Sequence, residues 1–300
     1  MGSVLNQAFT EADFEVVVVN DSGQPLPEAD WQHSERVQII NTNRRERCVA
    51  RNAGAAIARG KYLHFLDDDD VLLPGALTAF WDLDRDRNGD VIWLYGSYEI
   101  VDNDGHVIAD FHPGIEGNLF AVFVAGESIP FQVSLLQTKH FHAAGGFDSR
   151  PEVLGVEDRD VGRRLALTGL VAHTPVVVAQ IRIGEVGSTT NWSTIAESDR
   201  WAREKALSAE GAFTRLWDAA ASRYLCGRVS RAYLASMVWN LGRGNVCIAT
   251  SRATAGVAFA GWRVFSPDYW RGLTTRIDEL IKARVGRDRQ SLVRRGYVRG

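Results

Sequence analysis

The stretch Tyr62 to Leu77, YLHFLDDDDVLLPGAL, constrains the fold more than any other part of this chain. Tyr62, Leu63, His64, Phe65 and Leu66 form a short, mostly apolar run that meets four consecutive aspartates, and Pro74 then opens a helical pattern. An apolar run of that kind, ended by turn chemistry and followed by a helix, reads as a buried strand of an α/β sheet. Ligands of such sheets gather at the carboxyl ends of the strands. Asp67, Asp68, Asp69 and Asp70 therefore stand at an expected site, crowded enough to need a counter-charge. A hard divalent cation with oxygen ligands, its shell completed by diphosphate oxygens, would supply one. A solvated acidic turn is the other reading of the same four residues.

The flanking segments continue the alternation. Residues 1–13 read as the end of an amphipathic helix with Val4, Leu5 and Phe9 inward. Phe14 to Val19 is a β-branched run of the kind found in buried parallel strands, closing on Asn20-Asp21-Ser22-Gly23 with an acid at its carboxyl end. Val37 to Ile40 is a second short strand, and Cys48 to Arg59 (CVARNAGAAIAR) a helix that Gly60 stops. The order helix, strand, strand, helix, strand argues for a doubly wound α/β sheet flanked by helices. Asp90 to Tyr98 is a further buried strand, and Glu99 to Ile108 a hairpin turning at Asn103-Asp104-Gly105. Phe131 to Leu136 is strand-like and leads into a helix ending at Gly145-Gly146; Val171 to Ile183 is the last apolar strand. Between them Glu157-Asp158 opens an amphipathic helix, where acids are favoured by the helix dipole alone.

A chain of 300 residues allows one large or two modest domains. The composition shifts near Asn191, so residues 1–190 are expected as an α/β unit and 191–300 as a helical region. Helices are expected over Tyr224 to Leu241, Val246 to Val264 and Leu273 to Val285, with a break at Pro267. The net charge of −3 gives no nucleic-acid signal, and Cys48, Cys226 and Cys247 are too far apart and odd in number for a disulfide framework or zinc site. No apolar run approaches the roughly 20 residues of a spanning helix, and no signal peptide is seen; a cytoplasmic protein is expected. The last 30 residues hold nine Lys/Arg against three acids, which suits either a solvated face or peripheral contact with the inner membrane surface.

Three blocks in series now bear on family. EVVVVNDSG, then CVARNAGAAIARGKYLHFLDDDDVLLPGAL, then AAGGFD followed by VEDRDVGRRLALTG together resemble the family 2 inverting glycosyltransferases of the GT-A fold, from about residue 3 to residue 190. The resemblance implies transfer of a sugar from a nucleoside-diphosphate donor to a glycan, lipid-linked or protein acceptor, with cell-envelope polysaccharide among the products. It implies that Asp67 and Asp69 are the DxD pair, with Asp69 on Mn²⁺ or Mg²⁺ and Asp67 toward the ribose and metal. It places Asp21, Arg51, Asn52, Asp67 and Asp68 beside the nucleotide sugar. It makes Asp158 the base that takes the acceptor proton, with Glu157 and Gly146 on the acceptor side.

Two departures accompany the resemblance. Ser3-Val4-Leu5-Asn6-Gln7 resembles the end of the family's first helix, so the first strand and most of that helix are expected to be missing through a late gene start. The histidine that many relatives carry after the last core strand is absent from Arg182 to Gly187, which leaves Glu185 as a weak substitute for a third metal ligand. The competing reading is a catalytically compromised module that keeps the fold and binds nucleotide.

Overall fold

Four valines in a row favour an extended chain, because a branched Cβ restricts χ1 and packs well on a pleated surface. They form β1 (Val16–Asn20), which pairs in parallel with β2 (Val37–Asn41) from Val16↔Val37 to Asn20↔Asn41. The computed structural model describes residues 1–43, 45–87, 91–182, 192–217 and 222–274, and among these the β1–β2 pair is a sheet of its own. The valines are half-buried rather than fully buried, because the second edge of β1 has no ladder partner among the described residues. Ahead of the pair, α1 (Gly2–Leu5) is a single turn whose Val4 packs on the core, and Phe9 meets Trp81 edge-on at 6.1 Å. α2 (Arg47–Ile57) lies over β1, capped by the Glu46 carboxylate, which accepts from the N–H groups of Cys48 and Val49. The helix ends at Ala58 in extended conformation, ahead of Gly60, because the chain turns directly into the next strand.

The main sheet has six strands. They are β3 (Tyr62–Leu63), β4 (Val71–Leu72), β5 (Val91–Val101), β6 (Val107–Phe111), β7 (Ser134–Gln137) and β8 (Leu170–Arg182), in the order β3-β7-β5-β8-β4 with β6 folded back on β5. Only β5 and β8 run parallel; the other pairs are antiparallel, so the sheet is mixed. β3 is shorter than the apolar run suggests. His64 leaves the ladder to bond the Ser134 carbonyl through Nδ1 at 2.9 Å, and Phe65 turns into a cluster with Phe131, Phe141 and Phe147. Helices α3 (Ala76–Arg85), α4 (Phe120–Val124), α5 (Thr138–Ala143) and α6 (Glu157–Thr168) flank it. α3 begins after Gly75 at φ 82°, so Pro74 belongs to the preceding turn.

The helical region comprises α7 (Trp192–Leu207), α8 (Ala212–Trp217), α9 (Ser222–Leu241), α10 (Val246–Ala260) and α11 (Pro267–Thr274). The expected break falls at Ser266, in extended conformation, and Pro267 then opens α11, a position where its missing N–H costs nothing. The expected helix beyond Thr274 and the basic residues Arg276 to Arg299 lie outside the described residues. α9 and α11 cross at bare backbone: a Cβ on Gly227 would lie 2.1 Å from the Tyr269 carbonyl oxygen, and one on Gly272 would lie 2.0 Å from that of Tyr224. The apolar core is continuous across residue 190, running from Trp93 and Phe123 through Leu216 and Leu225 to Tyr269. A buried ion cluster crosses the same boundary. Arg163 donates to the Phe123 carbonyl and to Asp199 Oδ1 at 2.7 Å, and Arg203 donates to Asp199 Oδ2 at 2.7 Å. Among the described residues no helix is long and apolar enough to cross a membrane.

Candidate active site

The four aspartates divide into anchored and open ones. Asp67 is held on both oxygens, by Arg51 Nη2 at 2.7 Å and by Gln132 Nε2 at 2.9 Å. Asp68 and Asp69 are exposed at the turn, and no hydrogen bond engages their carboxylates among the described residues. Asp70 is buried and accepts the Arg182 backbone N–H at 2.8 Å; burial pushes its carboxyl up to about 7, against the pull of that bond. The Asp70 N–H closes the turn on the Asp67 carbonyl at 3.2 Å. The turn therefore offers two open carboxylates between two anchored ones.

Arg51 reaches the turn from the inner side of α2, with Phe147 beneath its guanidinium at 5.3 Å. Its Nη1 also donates to Asp158 Oδ1 at 3.2 Å, so one side chain spans the aspartate turn and the first turn of α6. Burial pushes the Asp158 carboxyl up to about 6, Arg51 pulls it down, and Glu157 pushes it up again. The side chain stays 43% exposed, so water moderates the rise and a ligand has access. Glu157 is buried behind it, ion-paired to Arg47, with Oε2 unpartnered.

Asn52 and Gly146 build the floor. Asn52 Nδ2 donates to the Phe147 carbonyl at 2.8 Å, and its Oδ1 accepts the Phe147 N–H at 2.9 Å. Both arms of the amide thus hold the Gly146–Phe147 turn. Gly146 has φ 65°, and a Cβ there would lie 2.6 Å from Asn52 Oδ1, so only glycine fits. Arg164 of α6 donates to the Gly146 carbonyl at 2.7 Å, tying this floor to the helix that carries Asp158. Asp21 follows β1, half-buried, in a turn shaped by the buried Asn20, and no hydrogen bond joins it to Arg51 or the aspartates among the described residues.

Sequence reasoning missed Gln132, Arg47 and Arg182. Gln132 and Arg47 belong to no motif. Arg182 opens the stretch Arg182 to Gly187, which carries no histidine. It donates from Nε to the Asp69 carbonyl at 3.3 Å and from Nη1 to the carbonyls of Asp102 and Asn103 at 2.8 and 2.6 Å. The aspartate turn is thereby bound to the tip of the β5–β6 hairpin. At that tip Asp102, Asp104 and His106 bring ligand atoms within 4.8 Å of one another. Asp102 Oδ1 already accepts the N–H groups of His106 and Asp104, which hold its carboxyl below the usual range. Glu185 lies outside the described residues.

Comparison with known proteins separates the two halves of this site. Residues 1–118 match the sequence profile described as Glycosyl transferase family 2. Over these residues the chain is similar to that family. The matched segment holds Asp21, Arg51, Asn52 and the aspartate turn, and stops short of Gly146, Glu157 and Asp158. Among curated relatives, the chain is 30% identical over 118 residues to an uncharacterised glycosyltransferase of Methanocaldococcus jannaschii, covering 37% of this chain and 39% of that one. It is 28% identical over 144 residues to the poly(ribitol-phosphate) beta-N-acetylglucosaminyltransferase TarP of Staphylococcus aureus, covering 46% of this chain and 42% of TarP. These matches span less than half of either relative. The fold extends further. The structure of S. aureus TarS residues 1–349 in complex with UDP-GlcNAc superposes with TM-score 0.57 at 13% identity, covering 92% of this chain and 88% of that one. A second TarS structure gives TM-score 0.55 at 15% identity over 78% of this chain. The likeness shows a GT-A fold with a mixed sheet, flanking helices and a helical continuation.

Proposed function

We propose that this protein is a metal-dependent inverting glycosyltransferase, moving a sugar from a nucleoside-diphosphate donor to a glycan or lipid-linked acceptor. The observation that carries it is the Arg51 bridge, which sets the aspartate turn and Asp158 within the span of one guanidinium. Donor phosphates at the turn and an acceptor hydroxyl at Asp158 would then meet across the sugar. The donors fit a hard cation, Mn²⁺ or Mg²⁺, because Asp68 and Asp69 present open carboxylate oxygens. Asp67 fits as a ligand through its remaining lone pairs or by exchanging Arg51. When bound, such a cation would neutralise charge building on the diphosphate leaving group.

The chain's own residues do the rest. Asp158, with a carboxyl near 6, is ionised at neutral pH and basic enough to accept a proton. The acceptor oxygen bonds to the anomeric carbon while the bond to the diphosphate oxygen breaks. The acceptor proton goes to Asp158, and the nucleoside diphosphate leaves with the bonding pair. Arg51 suits the departing phosphates, since its fork matches their oxygens. Asn52 and Gly146 hold the floor. Asp21 is proposed at the nucleotide, and Glu157 behind the acceptor side.

UDP-GlcNAc, the ligand of the TarS structure, is the first donor to test. With Mn²⁺ and a polyol-phosphate acceptor, UDP release far above that of Asp158→Asn, with an inverted anomeric centre in the product, supports the reading. Nucleotide binding without transfer from any donor of a panel favours the second reading, a nucleotide-binding module. The separate β1–β2 pair is the feature that speaks for that alternative.

A further inference from the structure

The corner where α10 gives way to α11 exposes aromatic side chains that a solvated helical face does not need. Residues 261–265 form one 3-10 turn carrying Trp262, 61% exposed, and Phe265, 88% exposed. Three residues per turn put positions 262 and 265 on the same side. Trp270, 51% exposed, is tied to this turn by its Nε1–H, which donates to the Val264 carbonyl at 2.6 Å. Single exposed apolar residues are ordinary, but a contiguous group of large ones marks a contact surface.

Charge says which surface. The segment 222–274 holds seven arginines and one acid, Asp268, in a chain whose net charge is −3. The inward arginines are matched: Arg252 pairs with Glu204, and Arg228 approaches Glu127. Those at the corner rest on rings. Arg263 lies over Trp217 at 3.4 Å and near Trp262 at 5.1 Å, and Arg223 lies over Trp262 at 5.6 Å. Two cations flanking the exposed Trp262 indole suit a boundary between an anionic layer and an apolar one. The rings enter, and the guanidinium groups stay at headgroup level. The corner is also stiff, because α11 is locked to α9 through Gly227 and Gly272.

We propose that Trp262, Phe265 and Trp270, with Arg223 and Arg263, form a docking surface for an anionic membrane. This surface draws on residues 223–270 alone, and it does not depend on which sugar is transferred. The full-length protein should co-sediment with vesicles of phosphatidylcholine containing phosphatidylglycerol and leave vesicles of phosphatidylcholine alone, with binding that falls as salt rises. Trp262→Ser/Phe265→Ser should lower the bound fraction at least tenfold while every basic residue remains. Arg223→Gln/Arg263→Gln should remove the preference for the anionic lipid. Melting temperature and sizing on both variants check fold and self-association. Undiminished binding by the Trp262→Ser/Phe265→Ser protein overturns the proposal, as does equal binding to neutral vesicles. So does absence of vesicle binding, or a variant whose only change is a smaller oligomer, which would make the corner a contact between copies.

Discussion

Arg51 and Asp158 lie 107 positions apart in sequence, yet the guanidinium donates to the carboxylate at 3.2 Å while its other arm holds Asp67. The arginine therefore balances the burial that raises the Asp158 carboxyl to about 6. Before donor binds, its charge is shared between the residue proposed as base and the residue proposed beside the metal.

With the ionised form of Asp158 as the proposed base, transfer should fall as pH drops through about 6. Asp158→Asn should lower transfer at least about a hundredfold and leave nucleotide affinity nearly unchanged. A role confined to starting α6 predicts instead a loss of roughly 1 kcal/mol in stability with turnover kept. Arg51→Gln removes the charge that pulls the carboxyl down and should move the midpoint of the pH–rate profile upward. Rate profiles and calorimetric nucleotide titrations on the two variants separate these outcomes.

Asp69 is open where Asp67 is held, so the two should differ on substitution. Mn²⁺ with UDP should raise the melting temperature by ligand linkage. Asp69→Ala should abolish the rise without lowering the melting temperature of the free protein. A full response in that variant would take Asp69 out of the metal site.

Asp199 sits buried against Arg163 and Arg203, which hold its carboxyl well below the usual carboxylate range despite the upward push of burial. A depressed folded-state pKa contributes stability that is present above the unfolded value and lost as pH falls toward the folded one. Asp199→Asn leaves Arg163 buried without its counter-charge and should cost about 3–5 kcal/mol. The wild-type protein should lose this margin below about pH 4, and the variant should show a flatter acid limb in pH-dependent melting.

Gly227 and Gly272 are packed against backbone that cannot yield like a side chain. Gly227→Ala should cost about 3 kcal/mol, the upper end for overpacking. Gly256→Ala in α10 is the control, since its Cβ would meet Tyr233 Cβ at an ordinary 3.5 Å. That change should be neutral or gain up to about 1 kcal/mol from helix propensity. Equal melting temperatures for the two variants would remove the glycine crossing from the account.

Much of this could be read along the chain. The valine run, the alanine-rich helix, the hairpin at Asn103-Asp104-Gly105 and the helix opened by Glu157 all carry local signals, and each is present within a few residues of its expected bounds. Other features depend on partners far away. Nothing local to DDDD says that Asp67 meets Arg51 and Gln132, that Asp70 is buried under Arg182, or that Asp68 and Asp69 stay open. Nothing local to VVVVN says that its ladder ends at β2. The long β5 and β8 runs announce strands, but their parallel pairing and the antiparallel insertion of β7 follow only from the folded sheet.

Arg182 has a consequence for how such a site diversifies. By clasping Asp69, Asp102 and Asn103 through their carbonyl oxygens, it reads backbone and not side-chain identity. That clasp alone sets no side-chain identity at the hairpin tip, where the Asp102 carboxylate and Gly105 at φ 84° shape the turn. A change in its length, by contrast, would drag the aspartate turn with it. Insertions between β5 and β6 would thus shift the proposed phosphate end of the site while every aspartate stays in the sequence.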